Sequence, residues 1–404
     1  MAYPCQIWYN NKENGEKTML YKKNWAETRE KWISYWKQQN TGRPLMHVLA
    51  RKPEIEPYVG MKAPGGVNDS IICQGRYYTL PEGLWWKDLE DKYLNAKGLV
   101  ERYRCFCQTH EFLAESFPNL DVCLGPGSTA AYLGSDVGFS EDTIWFKACV
   151  EDEWDDHPEI RFDPQNPWFS RHLKLVADAR ALMGDDVLLD MPDLMENLDV
   201  LSSLRGAQEL MMDLIEDPDM IRERVDQVTK AYFPIFDAFY EHVKDAEGGN
   251  AYNCFQIWAP GRLSKLQCDA SAMMSTEMFD EFVLDSLRYQ TEHLDYSMYH
   301  LDGPGAIKHL DSLMSLKKLN SLQWTPGEPG PDGTKEQWDI VYEKATAAGK
   351  SIWVHVHNGD VNEWIRGTDH IVQKFGTRGT FLWYPEMSMG DAEKLLTYAD
   401  KHWC

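Results

Sequence analysis

From about residue 187 to the C-terminus, short apolar runs of strand type alternate with amphipathic stretches of helical length. The strand candidates are 187–190, 251–258, 296–302, 319–324, 351–357 and 379–384. Between them lie helix candidates at 200–215, 218–242, 275–296, 306–316, 335–348, 361–375 and 388–401. Repeated strand–helix units favour a parallel sheet, because parallel neighbours need a crossover and a helix supplies it. Further strands near Leu45 and Asp121 bring the count to about eight, the number that closes a (β/α)8 TIM barrel. The expected fold class is therefore α/β, a TIM barrel with an N-terminal helical extension. Residues 1–42 form the helical cap and residues 43–404 the barrel.

The cap reads as a helix over 18–39, with Trp25, Trp32 and Trp36 on neighbouring parts of one face, a packing stripe. Residues 63–84 are rich in Gly, Pro and Asn and read as a loop over one end of the barrel. A chain of 404 residues with 43% hydrophobic content can bury a core of that size. Its formal net charge of −23 excludes a nucleic-acid backbone as partner, since that affinity comes from clustered Lys and Arg. The acid run at Glu151-Asp152-Glu153 and Asp155-Asp156 reads as a solvated loop. No run approaches the roughly 18 apolar residues of a spanning helix, and the N-terminus lacks the pattern of a secretory leader. Nine cysteines without a Cys-x-x-Cys pair argue against a disulfide framework or zinc ribbon. A cytoplasmic setting is expected, with no membrane partner.

In a barrel of this type the chemistry gathers at the C-terminal ends of the strands. His300-Leu301-Asp302-Gly303 follows an apolar run, and residues two apart on a strand share a face. His300 and Asp302 are thus candidate catalytic or metal-ligating groups, imidazole with carboxylate suiting zinc or acid/base work. The bland alternative has His300 bonding a neighbouring strand and Asp302 capping a helix. His355 and His357 repeat the spacing, and one of them could equally be a core histidine. Asp190, Asp193 and Glu196 crowd another strand end, where carboxylates also serve as helix caps. Gln323, Trp324, Tyr384 and Glu386 complete the rim. No phosphate-binding glycine loop, nucleophile elbow or His-Glu-x-x-His run is present.

The order of elements, together with several runs, resembles the uroporphyrinogen decarboxylase superfamily, over about the C-terminal two thirds of the chain. Cys268-Asp269-Ala270-Ser271 followed by Ser275-Thr276-Glu277-Met278-Phe279-Asp280-Glu281-Phe282 resembles the family's Asp before a Ser-Pro-Glu helix. Tyr384-Pro385-Glu386-Met387 resembles its Tyr-Pro-Asp-Met run, and Leu204-Arg205-Gly206 with Leu214-Ile215-Glu216-Asp217-Pro218 its helix pair. A looser match spans 119–134. True decarboxylases place arginines after an Arg-Pro-Val-Trp start. Arg43-Pro44-Leu45-Met46 begins similarly without them, and Gly125 falls where the catalytic Asp belongs, so uroporphyrinogen is not the expected substrate.

His300-x-Asp302-Gly303 falls where the cobamide-dependent methyltransferases of the superfamily carry His-x-Cys-Gly, and Leu382 lies near their later Cys. The resemblance thus implies a metal set rich in oxygen and nitrogen, holding zinc: His300 and Asp302, joined by Glu386, His357 or Asp190. A carboxylate-rich site suits a Lewis acid on an ether oxygen. The resulting expectation is an O-demethylating methyltransferase that moves methyl from a methyl ether, an aromatic one, to the cobalt of a corrinoid carried by a partner protein. His300, Asp302 and Tyr384 would be catalytic; Asp190, Asp193, Trp324, His355 and Glu386 would hold the small-molecule substrate. A homodimer is left open. The rival reading is a carboxy-lyase of a small aromatic or heterocyclic acid, and a third is a binding scaffold.

Overall fold

The computed structural model describes residues 19–52, 86–140, 143–151, 153–327 and 330–404. The Gly/Pro-rich stretch at 63–84 lies outside the described residues, as does Asp152 of the acid run.

The N-terminal helix α1 (Trp25–Trp36) is held by its aromatic face, on which Trp25, Trp32, Tyr35 and Trp36 are buried. Each polar tip has found a partner. Trp32 Nε1 donates to the Glu115 carbonyl at 3.2 Å, Trp36 Nε1 donates to the Trp258 carbonyl at 2.8 Å, and the Tyr35 hydroxyl lies 2.8 Å from Ser321 Oγ. Ser321 and Ser351 open their strands, and Ser351 Oγ donates to the Tyr35 carbonyl. The helix therefore closes the end of the sheet where those strands begin.

The strands that carry the site are β1 (Leu45–Arg51), β2 (His110–Ala114), β3 (Asn119–Leu120), β4 (Leu188–Leu189), β5 (Asn250–Tyr252), β6 (Leu263–Leu266), β7 (Tyr296–Asp302), β8 (Ser321–Thr325), β9 (Ser351–His355) and β10 (Thr380–Trp383). Strands β6, β7, β8, β9, β10 and β1 pair in that order, all parallel. Strand β2 pairs antiparallel with β1, β3 pairs parallel with β4, and Asp190 bridges in parallel to Ala251 beside β5.

Side chains span two gaps that backbone ladders leave. Asn250 accepts from Leu263 N and donates to the Leu263 carbonyl, tying β5 to β6. Glu115 and Ser116 accept from Met46 N and Val48 N, tying the segment before β3 to β1. The result is a mixed α/β fold around a mostly parallel central sheet, TIM-barrel-like in its order of strands and covering helices.

Several anticipated elements differ in detail. The run 251–258 is a hairpin, β5 returning as Ile257–Ala259, with Gln256 in the left-handed region at φ 50°. The stretch 200–215 is two helices, Asn197–Arg205 (α2) and Ala207–Glu216, broken at Gly206, whose φ of 107° excludes continuous helix. Strand β6 is absent from the sequence reading, because Leu-Ser-Lys-Leu carries too few apolar residues to announce a buried strand.

Strand pairing sets two interior levels. Alternation places Tyr296, Met298, His300 and Asp302 on one face of β7, and the Tyr296 ring meets Trp36 of the closing helix at 5.3 Å. His300 is level with Gln323, Gln323 with Trp353, and Trp353 with Phe381. One step toward the strand C-termini, Asp302 is level with Thr325, and His355 with Trp383, which is level with His47.

Candidate functional site

Asp269, His300 and Asp302 each bring one ligand atom within 4.8 Å of the others. His300 and Asp302 come from the end of β7, as the spacing of two on a strand requires. Asp269 opens a 3-10 turn (Asp269–Met273) just after β6. That turn is held from across the site by the first turn of α2. Asp199 accepts from Asp269 N at 2.9 Å and from Ala270 N at 3.0 Å. Glu196 accepts from Gln267 N at 2.7 Å, and the Gln267 amide donates to both Asp199 and Asp269.

The electrostatics of the cluster follow from enclosure. Surrounding protein and the neighbouring charge of Asp199 push the Asp269 carboxyl up to about 7, although its outer face is open. Desolvation, with Lys265 nearby, lowers the His300 pKa, so the imidazole is neutral. Its Nδ1 meets Gln323 Oε1, and Gln323 in turn donates to Thr325 Oγ1 at 2.8 Å. A donor bond from Nδ1 to an amide oxygen fixes the tautomer that leaves Nε2 with its lone pair. Lys265 is fully buried, and its Nζ lies 2.6 Å from Asp193. Burial opposes its charge, while the paired Asp193 carboxylate more than offsets that, so it stays protonated. Burial raises the Glu196 carboxyl far above the usual range.

Beside the trio runs a wall of rings. Phe255 lies 5.1 Å from His300 and 5.9 Å from Trp353; Trp353 stacks on Trp383 at 6.0 Å, and Trp383 on His47 at 5.9 Å. His355 lies against Trp383 at 4.6 Å and His357 at 4.4 Å.

The anticipated residues divide on this geometry. His300 and Asp302 stand together, with Asp193 one lysine away. Asp190 is buried, its Oδ1 accepting from Asn253 N at 2.6 Å at the junction of β4 and β5. His355 faces the interior. His357 is drawn instead to Asp332, whose Oδ2 accepts from His357 N at 2.7 Å and lies 3.8 Å from its Nδ1.

Glu386 pairs with Arg51 at 3.2 Å and faces His110 at 3.4 Å. Burial pushes its carboxyl up to about 7 against the pull of Arg51. The structure therefore groups His300 and Asp302 with Asp269 rather than with His357 and Glu386. Two further residues face away from the interior. Trp324 is fully buried against Trp338 at 5.0 Å, and the Tyr384 hydroxyl lies 2.7 Å from Thr368 of the helix Val361–Phe375 (α3). Strand alternation explains Trp324: its neighbours Gln323 and Thr325 take the interior positions. Sequence reasoning passed over Asp269, Gln267, Lys265 and Trp383 as site residues.

No family model matches the sequence, and no curated protein matches it. Among solved structures, a methyltransferase from Methanosarcina mazei matches with a TM-score of 0.60 at 12% sequence identity, over 93% of this chain and 99% of its own. At that identity the likeness is one of fold.

Proposed function

We propose that this chain is a methyltransferase of the uroporphyrinogen decarboxylase superfamily, a closed TIM barrel that moves methyl from a methyl ether, an aromatic one, to the cobalt of a separate corrinoid protein. The observation that carries the reading is the Asp269–His300–Asp302 trio at the strand ends. The fold likeness to a methyltransferase supports it.

The trio fits a divalent metal such as zinc. One neutral imidazole and two carboxylates are three protein ligands of the kind a catalytic zinc takes, with a fourth position left for substrate. Gln323 supplies the outer hydrogen bond that a ligating histidine needs. Bound there, the metal would supply Lewis acidity at the ether oxygen. The protein's own groups do the rest. Gln323 holds the His300 ring in one tautomer, Asp199 and Gln267 hold Asp269, and the wall of Phe255, Trp353 and Trp383 offers faces on which an aromatic substrate can stack while water is kept out. In the transfer the C–O bond would break with its electron pair going to oxygen, while cobalt(I) of the partner's corrinoid would supply the pair that bonds the methyl carbon.

A second reading is favoured by one observation. A carboxyl held up at about 7, as Asp269 is, suits a proton donor in a metal-free carboxy-lyase, where it would protonate a carbanion after carbon dioxide leaves.

Metal analysis on anaerobically purified protein separates the two. The methyltransferase reading expects a full complement of divalent metal in the wild type, lost in Asp269→Asn, His300→Ala and Asp302→Ala. It also expects methylation of cob(I)alamin by an aryl methyl ether, read from the corrinoid spectrum. Protein free of metal that releases carbon dioxide without a corrinoid would overturn it in favour of the lyase.

A further inference from the structure

We propose that Trp383 and His355 form a two-donor anchor for an oxygen acceptor, a carboxylate or carbonyl, at the far end of the substrate from the trio. The proposal rests on the methyl-ether reading and names a substrate class within it. Trp383 Nε1 and His355 Nε2 are both buried and have no hydrogen-bond partner. An orphaned buried donor is destabilising, and natural structures rarely tolerate one without a reason. These two belong to residues paired in register on adjacent strands, both on the interior face.

Two further orphans, Trp324 Nε1 and Trp364 Nε1, give a useful contrast, because Trp324 packs under the helical layer and Trp364 lies in α3. Of these three described indoles only Trp383 shares the interior with the trio, and His355 pairs with it in register. Parallel strands lie about 4.8 Å apart, and Asp302 is separated from His355 by the width of β8 alone, so the backbones lie about 10 Å apart. That gap is crossed by Phe255 and Trp353, which meet edge to face at 5.9 Å. Trp353 Nε1 is already satisfied by the Phe255 carbonyl at 2.8 Å, so it offers a face and no donor. A flat ring lying over that face would put its ether oxygen at the trio and an acceptor on the opposite side of the ring at Trp383 and His355. His355 is neutral, burial and the adjacent His357 lowering it to about 4, so it carries one N–H and can turn it toward an acceptor.

Calorimetric titration tests this without any methyl transfer. The probes are 4-methoxybenzoate, 4-methoxybenzamide, methoxybenzene and 4-methylbenzoate. At least one of the two acceptor-bearing ethers is expected to bind the wild type about 10-fold or more tighter than methoxybenzene. Trp383→Phe keeps an aromatic face and deletes the N–H; it should collapse the ratio of acceptor-probe affinity to methoxybenzene affinity toward one. His355→Phe gives the same comparison at the second donor. Methoxybenzene binding as tightly as both acceptor probes, failure of all four to bind, or an equal loss for every probe in Trp383→Phe would overturn the proposal. Tight, Trp383-dependent binding of 4-methylbenzoate together with no methyl transfer from any ether would leave the anchor standing and sink the ether reading.

Discussion

At the scale of single residues, the site turns on which groups are held rather than which are present. The His300 ring nitrogen Nδ1 is held by Gln323. Gln323→Leu is therefore expected to weaken metal binding by about 10–100-fold, the usual cost of losing an outer-shell partner, while the protein stays folded. Competition with a chelating dye reads this directly, and unchanged affinity would remove Gln323 from the site. Tyr384 makes the opposite case. Its hydroxyl bonds Thr368 beneath α3, so Tyr384→Phe should cost about 1 kcal/mol in denaturant unfolding and leave turnover untouched. A fall in turnover without loss of stability would return it to the chemistry.

The same residues show how far the sequence could be read. The i, i+2 spacing made His300 and Asp302 visible as a pair, since alternation on one strand is a local rule. Asp269 is not local to them. It arrives through β6 and the grip of Asp199 on its turn, contacts that no spacing announces. Nor does a spacing tell which of two histidines a distant Asp332 will draw away.

Among the elements, those with strong local signals are found where the chain predicts them. The helix α3 runs Val361–Phe375, as its pattern requires, because Asp360 and Glu363 form a capping box at one end and Gly376, at φ 75°, ends it at the other. Strand β7 spans Tyr296–Asp302 as read. The elements that escaped are short and partly polar. Strand β6 buries Lys265 and Ser264, whose polarity is balanced by tertiary partners, and β2 opens on His110 and Glu111.

Strand β1 is fastened by Glu115, whose carboxylate takes Arg43, Lys31 and Met46 N. Arg43 and the other donors hold the Glu115 pKa below its ordinary 4.5 despite burial. A carboxylate with a depressed folded pKa contributes stability that is present above the unfolded pKa and is lost as pH falls through the folded one. Glu115→Gln should therefore cost about 3 kcal/mol at pH 7. The gap between variant and wild type should close progressively below pH 4.5. A gap that stays constant down to the acid transition would mean that the charge on Glu115 is not what fastens β1.

For the whole molecule, the tryptophan stripe of α1 was legible as a packing face, but what it packs against was not. Trp32 meets Phe381 at 4.9 Å and Phe117 at 6.1 Å, inside the main core. Trp32→Ala should lower global stability by about 3–5 kcal/mol, with near- and far-ultraviolet dichroism melting together. A separate early transition would mean that the N-terminal helix folds on its own.

The seating of that helix has a kinetic corollary. With tryptophan and tyrosine side chains of α1 covering the end where the strands begin, the sheet is a vessel stoppered at its floor, and the trio sits at the opposite rim. Under the proposed reaction, a corrinoid protein seated on that rim corks it. Donor must then enter before the partner docks, and the demethylated product must wait for it to leave. Turnover would follow a compulsory order, in which excess corrinoid protein inhibits by trapping the empty vessel.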